Sequence, residues 1–91
     1  MSKALRLSDK DNVVTCLQAV SKGVPVDTGG ETIPARDDIP KFHKMAAAPI
    51  AAGDRCYKYG ESIGVATRDI RPGEHVHVHN IESTRGRGDK Q

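Results

Sequence analysis

Tryptophan is absent from this 91-residue sequence, which contains only one phenylalanine and two tyrosines. With 36% hydrophobic and 3% aromatic residues, the sequence predicts one domain with a thin core. A chain of this size folds alone only marginally. We therefore expect it to gain stability by docking on a partner or, when isolated, on copies of itself as a homo-oligomer.

A dominant charge is lacking too, because 14 basic and 12 acidic residues give a formal net charge of +2. That balance, without basic residues interleaved with aromatic ones, does not predict a nucleic-acid surface. The sequence also lacks a hydrophobic run long enough to cross a bilayer, and its N-terminus lacks the apolar segment of a signal peptide. We expect a cytoplasmic protein that binds neither nucleic acid nor a membrane.

Cysteine is scarce, and Cys16 and Cys56 form no CxxC pair. Their spacing predicts neither a zinc knuckle nor a redox motif. In a reducing cytoplasm we expect two free, partly buried thiols. A disulfide between them is the alternative.

Histidine, by contrast, is concentrated in one stretch, where His75, His77 and His79 alternate with other residues. Alternate side chains share a face on a β-strand, so the pattern predicts three imidazoles on one face. The opposite, apolar face is expected to comprise Val76, Val78 and Ile81. Imidazoles at this spacing are typical of a metal-binding pair. A solvated polar face on an edge strand is the alternative, because His-x-His alone is a weak pattern.

The N-terminal half is predicted to contain a short strand at residues 4–7 and one short amphipathic helix. Apolar residues recur at helical spacing, at Val13, Val14, Cys16, Leu17 and Val20. Ser8 and Asp9 offer helix N-caps, and Lys22 with Gly23 offers a basic last turn and a C-cap. Residues 24–34 read as short extended pieces broken by prolines and glycines.

The C-terminal half contains a degenerate repeat at an offset of twenty residues. Ala46, Ile50, Gly53, Asp54 and Cys56 align with Ala66, Ile70, Gly73, Glu74 and Val76. The repeat predicts two strand-loop-strand units, in which the isoleucine anchors the loop and the glycine-acid turn begins the next strand. One copy then presents Tyr57 and Tyr59 where the other presents His77 and His79. A chance match is the alternative, because glycine-acid turns are common.

Ordered motifs occupy most of residues 39–81. They are Phe42-His43-Lys44-Met45-Ala46, Ile50-x2-Gly53-Asp54, Lys58-Tyr59-Gly60-x2-Ile63-Gly64-x-Ala66-Thr67-x2-Ile70 and Gly73-Glu74-x-Val76-His77-x-His79-Asn80. Together they resemble the small N-terminal domain or subunit of altronate and galactarate dehydratases. An ordered set of this length is far more specific than any single motif.

The resemblance implies a mainly β, SAF-like domain of the β-clip fold with one short helix over residues 1–82, and a flexible polar tail at 83–91. It also implies a hydro-lyase that removes water from an aldonate or aldarate to give a 2-keto-3-deoxy acid. In that family the domain is either fused to a larger catalytic domain or made as a separate chain. This chain resembles the separate subunit, and we expect it to be inactive without a large catalytic subunit.

Carried over residue by residue, the resemblance implies a catalytic set of His43, Lys44, His77, His79 and Asn80. Lys44 is expected to bind the substrate carboxylate; a solvated lysine and a structural imidazole at His43 are the alternatives. His75 falls where the family varies, so we expect it to contribute less. Phe42 is a departure, because the family usually has glycine there, and the loop before His43 could differ.

Elimination of water needs a base for the proton α to the carboxylate, an electrophile for the enediolate and an acid for the departing hydroxyl. A divalent metal, expected to be iron(II), suits the second role. His77 and His79 are its expected ligands, or else donors to substrate oxygens. A small chain without an evident carboxylate cluster cannot supply all three groups, so we expect the site and its metal to be shared with the large subunit.

Two other functions fit the same sequence. Small subunits of sulfolactate sulfo-lyases are similar to this family, and they eliminate sulfite after the same proton abstraction. A stand-alone module that binds a carbohydrate or a metal without catalysis is the second, since fold alone does not decide function.

Overall fold

The structure is a computed structural model that describes residues 2–6 and 8–82. Within these ranges the chain forms nine strands and no helix. The strands are β1 (Ser2–Leu5), β2 (Val13–Cys16), β3 (Pro25–Asp27), β4 (Thr32–Pro34), β5 (Lys44–Ala46), β6 (Arg55–Lys58), β7 (Glu61–Ala66), β8 (His75–Val76) and β9 (Ile81–Glu82). The expected tail at 83–91 lies outside the described residues.

The strands form two sheets. The larger has the order β4-β3-β1-β2-β5-β8, and its pairs are antiparallel except for the parallel pair β1 and β3. The smaller has the order β6-β7-β9 and is antiparallel throughout. The proline-containing strands β3 and β4 lie at one end of the larger sheet, as expected for residues that cannot donate a ladder hydrogen bond.

Strand β2 is buried on both faces, since all four of its residues are buried. Val14 pairs with Met45 and belongs to a first core, whereas Val13 pairs with Ala46 and belongs to a second core. Successive strand residues point to opposite faces, so the two cores lie on opposite sides of β2 and β5. These two strands therefore separate and support both halves of the molecule.

The predicted helix over residues 13–20 is wrong, because β2 occupies the first half of that segment and no helix forms in the second half. Because β2 is buried on both faces, apolar residues occur at consecutive positions. Together with Leu17 and Val20 they match the spacing of an amphipathic helix. Leu17, expected on the buried stripe, is 39% exposed. The expected N-cap residues form a turn instead, in which the Asp11 N–H donates to the Ser8 carbonyl at 3.0 Å. No helix in the described ranges is long and apolar enough to span a membrane.

The repeat in the C-terminal half is confirmed by its hydrogen bonds. Ile50 and Ile70 form an isolated antiparallel bridge, in which each N–H donates to the other's carbonyl, at 2.9 and 2.8 Å. The glycine N–H of each copy donates to the alanine carbonyl of the other, at 2.8 Å for both Gly53 to Ala66 and Gly73 to Ala46. The two copies therefore cross at their isoleucines in a local twofold arrangement.

A second crossed pair, which the sequence patterns did not predict, forms the N-terminal half. Val20 and Ile39 make the corresponding bridge, at 2.8 and 2.7 Å. The corresponding N–H to carbonyl bonds are both 2.8 Å and run from Gly23 to Ala35 and from Phe42 to Cys16. The domain is thus built from four copies of one loop, crossed in two pairs.

Phe42 occupies the turn position that glycine holds in the other three copies. The third residue of each turn has a positive φ, which is 91° at Gly23, 68° at Phe42, 91° at Gly53 and 93° at Gly73. A type II turn requires this conformation, and it favours glycine. The departure at Phe42 therefore preserves the turn and leaves His43 immediately before β5.

Gly73 also joins the two halves of the molecule. A Cβ added there would collide with the carbonyl oxygen of Pro34 and press on the backbone nitrogen of Arg36. The Arg36 N–H donates to the Gly73 carbonyl at 2.8 Å. Only glycine combines the positive φ with this close approach.

The two cysteines are free and buried, as predicted. Cys16 belongs to the first core and Cys56 to the second. Burial raises the pKa of both thiols, and this keeps them protonated and unreactive near neutral pH.

Candidate functional site

The histidine-rich stretch is a strand followed by a tight turn. Strand β8 ends at Val76, and the His77 carbonyl accepts the N–H groups of Asn80 and Ile81, at 3.0 and 3.1 Å. The fully buried Asn80 side chain closes the turn from inside. Its Oδ1 accepts the His77 N–H at 2.9 Å, and its Nδ2 donates to the His75 carbonyl at 2.9 Å. Asn80 therefore fixes the backbone on both sides of Val76.

This turn shows that the prediction of one continuous strand face was wrong. Asn80 captures the His77 N–H with its side chain, and such a bond competes with a strand ladder. Val78, expected on the apolar face, is 81% exposed. Val76 is buried in the second core, and Ile81 packs against it from the start of β9.

The turn nevertheless brings the imidazoles together, and His43, immediately before β5, joins them. We call His43, His75, His77 and His79 the histidine cluster. The ring centroid of His43 lies 5.1 Å from that of His75 and 5.0 Å from that of His77. The His75 centroid lies 5.5 Å from that of His77 and 5.6 Å from that of His79. Of the predicted site residues, the structure therefore brings three together, with His75 added.

His75 is the centre of the cluster, although its place in the family pattern predicted the smallest contribution. Its ring contacts those of the other three histidines, and its Nε2 lies 3.0 Å from His43 Nδ1. The pairing of Met45 with His75 brings β8 alongside the start of β5. That pairing joins residues far apart in sequence, so no local pattern could reveal it.

Burial and neighbouring imidazoles lower the pKa of His75 below its ordinary value of 6.5. Burial is the largest cause, followed by the charges of the other three histidines, while Asp37 acts in the opposite direction. The Asp37 carboxylate accepts the backbone N–H of His75 at 3.0 Å. The His75 ring is therefore neutral near pH 7, with a lone pair available to a metal or a proton donor.

The cluster fits a transition metal in the chemistry and the spacing of its donors. One ring nitrogen from each of His43, His75 and His77 lies within 4.8 Å of the others. Nitrogens bound to one tetrahedral ion at about 2.0–2.1 Å lie about 3.3 Å apart. Small ring rotations would close the gap, and three protein ligands leave a coordination position open. His79 lies outside this group of three.

Lys44 lies on the other face of β5. It pairs with Thr15 and Val76, whereas the adjacent Met45 pairs with His75. Burial, followed by the charge of Lys58, lowers the pKa of Lys44. The structure thus separates Lys44 from the histidine cluster, although His43 and Lys44 are adjacent in sequence.

An open cleft of about 1060 Å³ lies beside the cluster. His75 and His79 belong to one wall, together with the loop after Ala66. The end of β4 and the residues after it, in the other half of the molecule, form the opposite wall. The cleft therefore lies between the two halves and gives solvent access to the cluster.

Comparison with known sequences identifies the family. The sequence matches the family model described as the altronate/galactarate dehydratase SAF domain over residues 2–84. The chain belongs to this family. The mainly β structure of this SAF domain is consistent with the β-clip fold that the resemblance implied.

Relatives with known names support the assignment. The SAF domain is 39% identical to an altronate dehydratase of Bacillus subtilis (strain 168) over 91% of its length, and 38% identical to one of Escherichia coli (strain K12) over 87%. It spans only 17% and 16% of the lengths of those two proteins. It is also 40% identical to the (2R)-sulfolactate sulfo-lyase subunit alpha of Paracoccus pantotrophus, over 68% of this chain and 92% of that subunit.

The other C-terminal copy of the SAF domain carries tyrosines where the cluster has histidines. We call residues 46–59 the tyrosine copy and residues 66–79 the histidine copy. In the tyrosine copy, Asn12 Oδ1 accepts the Tyr57 N–H at 2.7 Å and Asn12 Nδ2 donates to the Arg55 carbonyl at 3.1 Å. These bonds match those that Asn80 makes in the histidine copy. The two copies therefore share a backbone and an asparagine clamp.

Proposed function

We propose that this SAF domain is the small subunit of a sugar-acid dehydratase and that its histidine cluster forms part of the active site. The reaction is the removal of water from an aldonate or aldarate to give a 2-keto-3-deoxy acid. The family and the two altronate dehydratases support this proposal. The observation that carries it is the convergence of His43, His75 and His77 beside an open cleft.

In this proposal His43, His75 and His77 would hold a divalent metal, which we expect to be iron(II). Such an ion would supply a Lewis acid for oxygens of the substrate. His79, outside the donor group, exchanges a proton with a substrate hydroxyl. Asn80 acts as a positioning residue, because its buried side chain is bonded to backbone on both sides. Lys44 is not part of the proposed site.

A large catalytic subunit completes the site. The group of possible metal donors contains no carboxylate among the described residues, so the base for the α-proton comes from the partner. The altronate dehydratases are about six times as long as the region they share with this chain, and the missing part is the source of these groups. We expect both subunits to be cytoplasmic.

Reconstitution tests this function. The purified chain is mixed with a candidate large dehydratase subunit from the same organism, and 2-keto acid formation from altronate and galactarate is measured. The His77→Ala, His79→Ala double variant should lower the rate by about 100-fold or more, as loss of acid–base groups does. Tyr59→Phe, which removes one hydroxyl from the tyrosine copy, is the control and should leave the rate unchanged. Wild-type activity of the double variant would contradict the proposal.

A sulfo-lyase is the second candidate function. The SAF domain covers 92% of the Paracoccus alpha subunit, so a relative of similar size acts as a subunit of an enzyme with that name. Elimination of sulfite in place of hydroxide uses the same abstraction of the α-proton. Sulfite release from (2R)-sulfolactate by the reconstituted pair, with no keto acid from altronate or galactarate, would favour this candidate.

A further inference from the structure

The cleft beside the histidine cluster carries an excess of positive charge. Its basic lining residues are Lys22, Arg36, Arg68 and Arg71, and its acidic ones are Asp37 and Glu74. We call it the basic cleft. This excess of two positive charges equals the net charge of the whole sequence, so the charges elsewhere in the chain are balanced. The imbalance is concentrated where the cluster meets solvent.

Both acidic residues of the basic cleft are already engaged. The Glu74 carboxylate accepts the backbone N–H of Arg71 at 2.8 Å and its Nε at 3.2 Å. The Asp37 carboxylate accepts the His75 N–H at 3.0 Å. The Glu74 carboxylate is thus paired with Arg71, and the Asp37 carboxylate is held at the His75 backbone.

The other basic groups of the cleft have donors to spare. Arg36 donates through Nε to the Pro72 carbonyl at 3.2 Å, which leaves its two terminal nitrogens for a ligand. Within the described residues, the Lys22 ammonium and the Arg68 guanidinium make no side-chain hydrogen bond or ion pair. A guanidinium binds a carboxylate through two parallel hydrogen bonds, and an unpaired one attracts such an anion.

The lining of the basic cleft, more than its size, suits a strongly hydrated acid. Its volume of about 1060 Å³ is near the upper limit of small-molecule sites, about 300–1,000 Å³. The lining includes no aromatic side chain apart from His75 and His79, and four of its residues are lysine or arginine. A polyhydroxylated carboxylate supplies an anion for the guanidinium groups and hydroxyls for the imidazoles.

We propose that the basic cleft binds the carboxylate of a 2-hydroxy acid through Arg36 and Arg68 and directs its hydroxylated carbon chain toward His75 and His79. The inference deepens the proposed function, on which it rests, by assigning substrate recognition to the SAF domain itself. Altronate, galactarate and sulfolactate all contain the 2-hydroxycarboxylate group. Groups that contact the part of the substrate carrying the leaving hydroxyl or sulfonate would then discriminate among these three acids.

Binding to the full chain tests the assignment without catalysis. Backbone amide shifts are followed by NMR at constant ionic strength while galactarate, altronate or (2R)-sulfolactate is added, with galactitol as the uncharged control. We expect saturable shifts at Gly23, Arg36 and Glu74 with the acids and none with galactitol. Arg68→Gln should weaken binding about tenfold or more, as loss of a charged hydrogen bond does. Arg55→Gln, at an exposed arginine outside the cleft, should bind as the wild type does.

The outcomes separate this inference from the proposed function. No binding by the isolated chain, equal shifts with galactitol, or equal affinity in Arg68→Gln would overturn the basic cleft as a substrate site. Preference for sulfolactate over the two sugar acids would keep the cleft and favour the sulfo-lyase. A third outcome combines the two experiments: the acids bind the cleft, but the His77→Ala, His79→Ala variant keeps full activity in reconstitution. That outcome would overturn the catalytic role of the histidine cluster and would leave the basic cleft as a substrate site.

Discussion

The tyrosine copy and the histidine copy differ in side chains while their backbones agree. Both cross at an isoleucine, turn at a glycine with positive φ and are clamped by an asparagine. The tyrosine copy continues into the hairpin of β6 and β7, whereas the histidine copy stops after two strand residues and turns. One scaffold therefore supports either a structural strand or a cluster of imidazoles, according to whether the chain continues as a hairpin or turns at once.

The tyrosines have partners within the fold, and the histidines mainly have one another. The ammonium groups of Lys10 and Lys58 lie over the rings of Tyr57 and Tyr59, at 5.4 and 4.8 Å from the ring centroids. The Tyr59 hydroxyl donates to Thr15 Oγ1 at 3.4 Å. In the histidine copy the ring contacts are between imidazoles, and His75 Nε2 lies 3.0 Å from His43 Nδ1.

The largest expected effect compares the turn glycines of the two copies. Gly73→Ala should lower the free energy of unfolding by about 3–5 kcal/mol, because it adds a backbone collision to the unfavourable φ. Gly53→Ala has the same φ cost but meets no atom within 4 Å, so it should lower that free energy by about 1–2 kcal/mol. Urea unfolding of both variants measures the difference. Equal losses would show that the approach of Gly73 to Pro34 is not a constraint.

The two asparagine clamps give the second comparison. Asn80→Ala leaves the His77 N–H and the His75 carbonyl without partners in a buried place, so we expect a loss of about 2–3 kcal/mol in unfolding free energy. Asn12→Ala breaks matching bonds at a half-buried position, where water replaces them. Its loss should be about 1 kcal/mol. If Asn12→Ala costs as much, the two clamps are equivalent and burial does not distinguish them.

The third comparison exchanges side chains between the two copies and measures the effect on metal affinity. His77→Tyr should weaken Co²⁺ binding by more than the roughly 10–100-fold that loss of an outer-shell partner costs. The reciprocal Tyr57→His should leave the affinity unchanged, because no imidazole surrounds that position among the described residues. Visible absorption of the Co²⁺ complex measures both. Unaltered binding in His77→Tyr would exclude His77 as a ligand.

The smallest expected effect is the pH dependence that the cluster adds. The lowered pKa of His75 means that the unfolded chain binds its proton more readily than the folded one does. Its contribution to stability is therefore complete above the ordinary value of 6.5 and declines as the pH falls through that value to the folded pKa. NMR titration of the metal-free chain should show His75 titrating below 6.5, and His43→Gln should raise that pKa. A wild-type pKa at or above 6.5 would contradict the burial of the ring.

The strand-turn pattern of the C-terminal half could be predicted because its signals are local. The isoleucines and the glycine-acid turns lie where the repeat indicated. The N-terminal pair was missed because Phe42 replaces the turn glycine and neither copy has an acidic residue after it. The helix was predicted wrongly because β2 has no solvated face, so its residues do not alternate in polarity.

The candidate site could be predicted only in part, and for a related reason. The concentration of histidines was evident in the sequence, but their geometry depends on the pairing of β5 with β8 and on the turn closed by Asn80. That pairing places His75 at the centre of the cluster. Lys44 lies on the opposite face of β5, because successive strand residues point to opposite faces. The catalytic and metal-binding roles of these residues remain predictions.

The burial of β2 on both sides has a consequence for how the domain opens. Local unfolding of either half would expose Val13 or Val14 to solvent, and both are fully buried in the folded chain. Local fluctuations should therefore be limited to the outer loops, and the amides of β2 should exchange their hydrogens only when the whole chain unfolds. The imidazoles of β8 and its turn, separated from β2 by β5 alone, are thus held close to the most slowly exchanging part of the molecule.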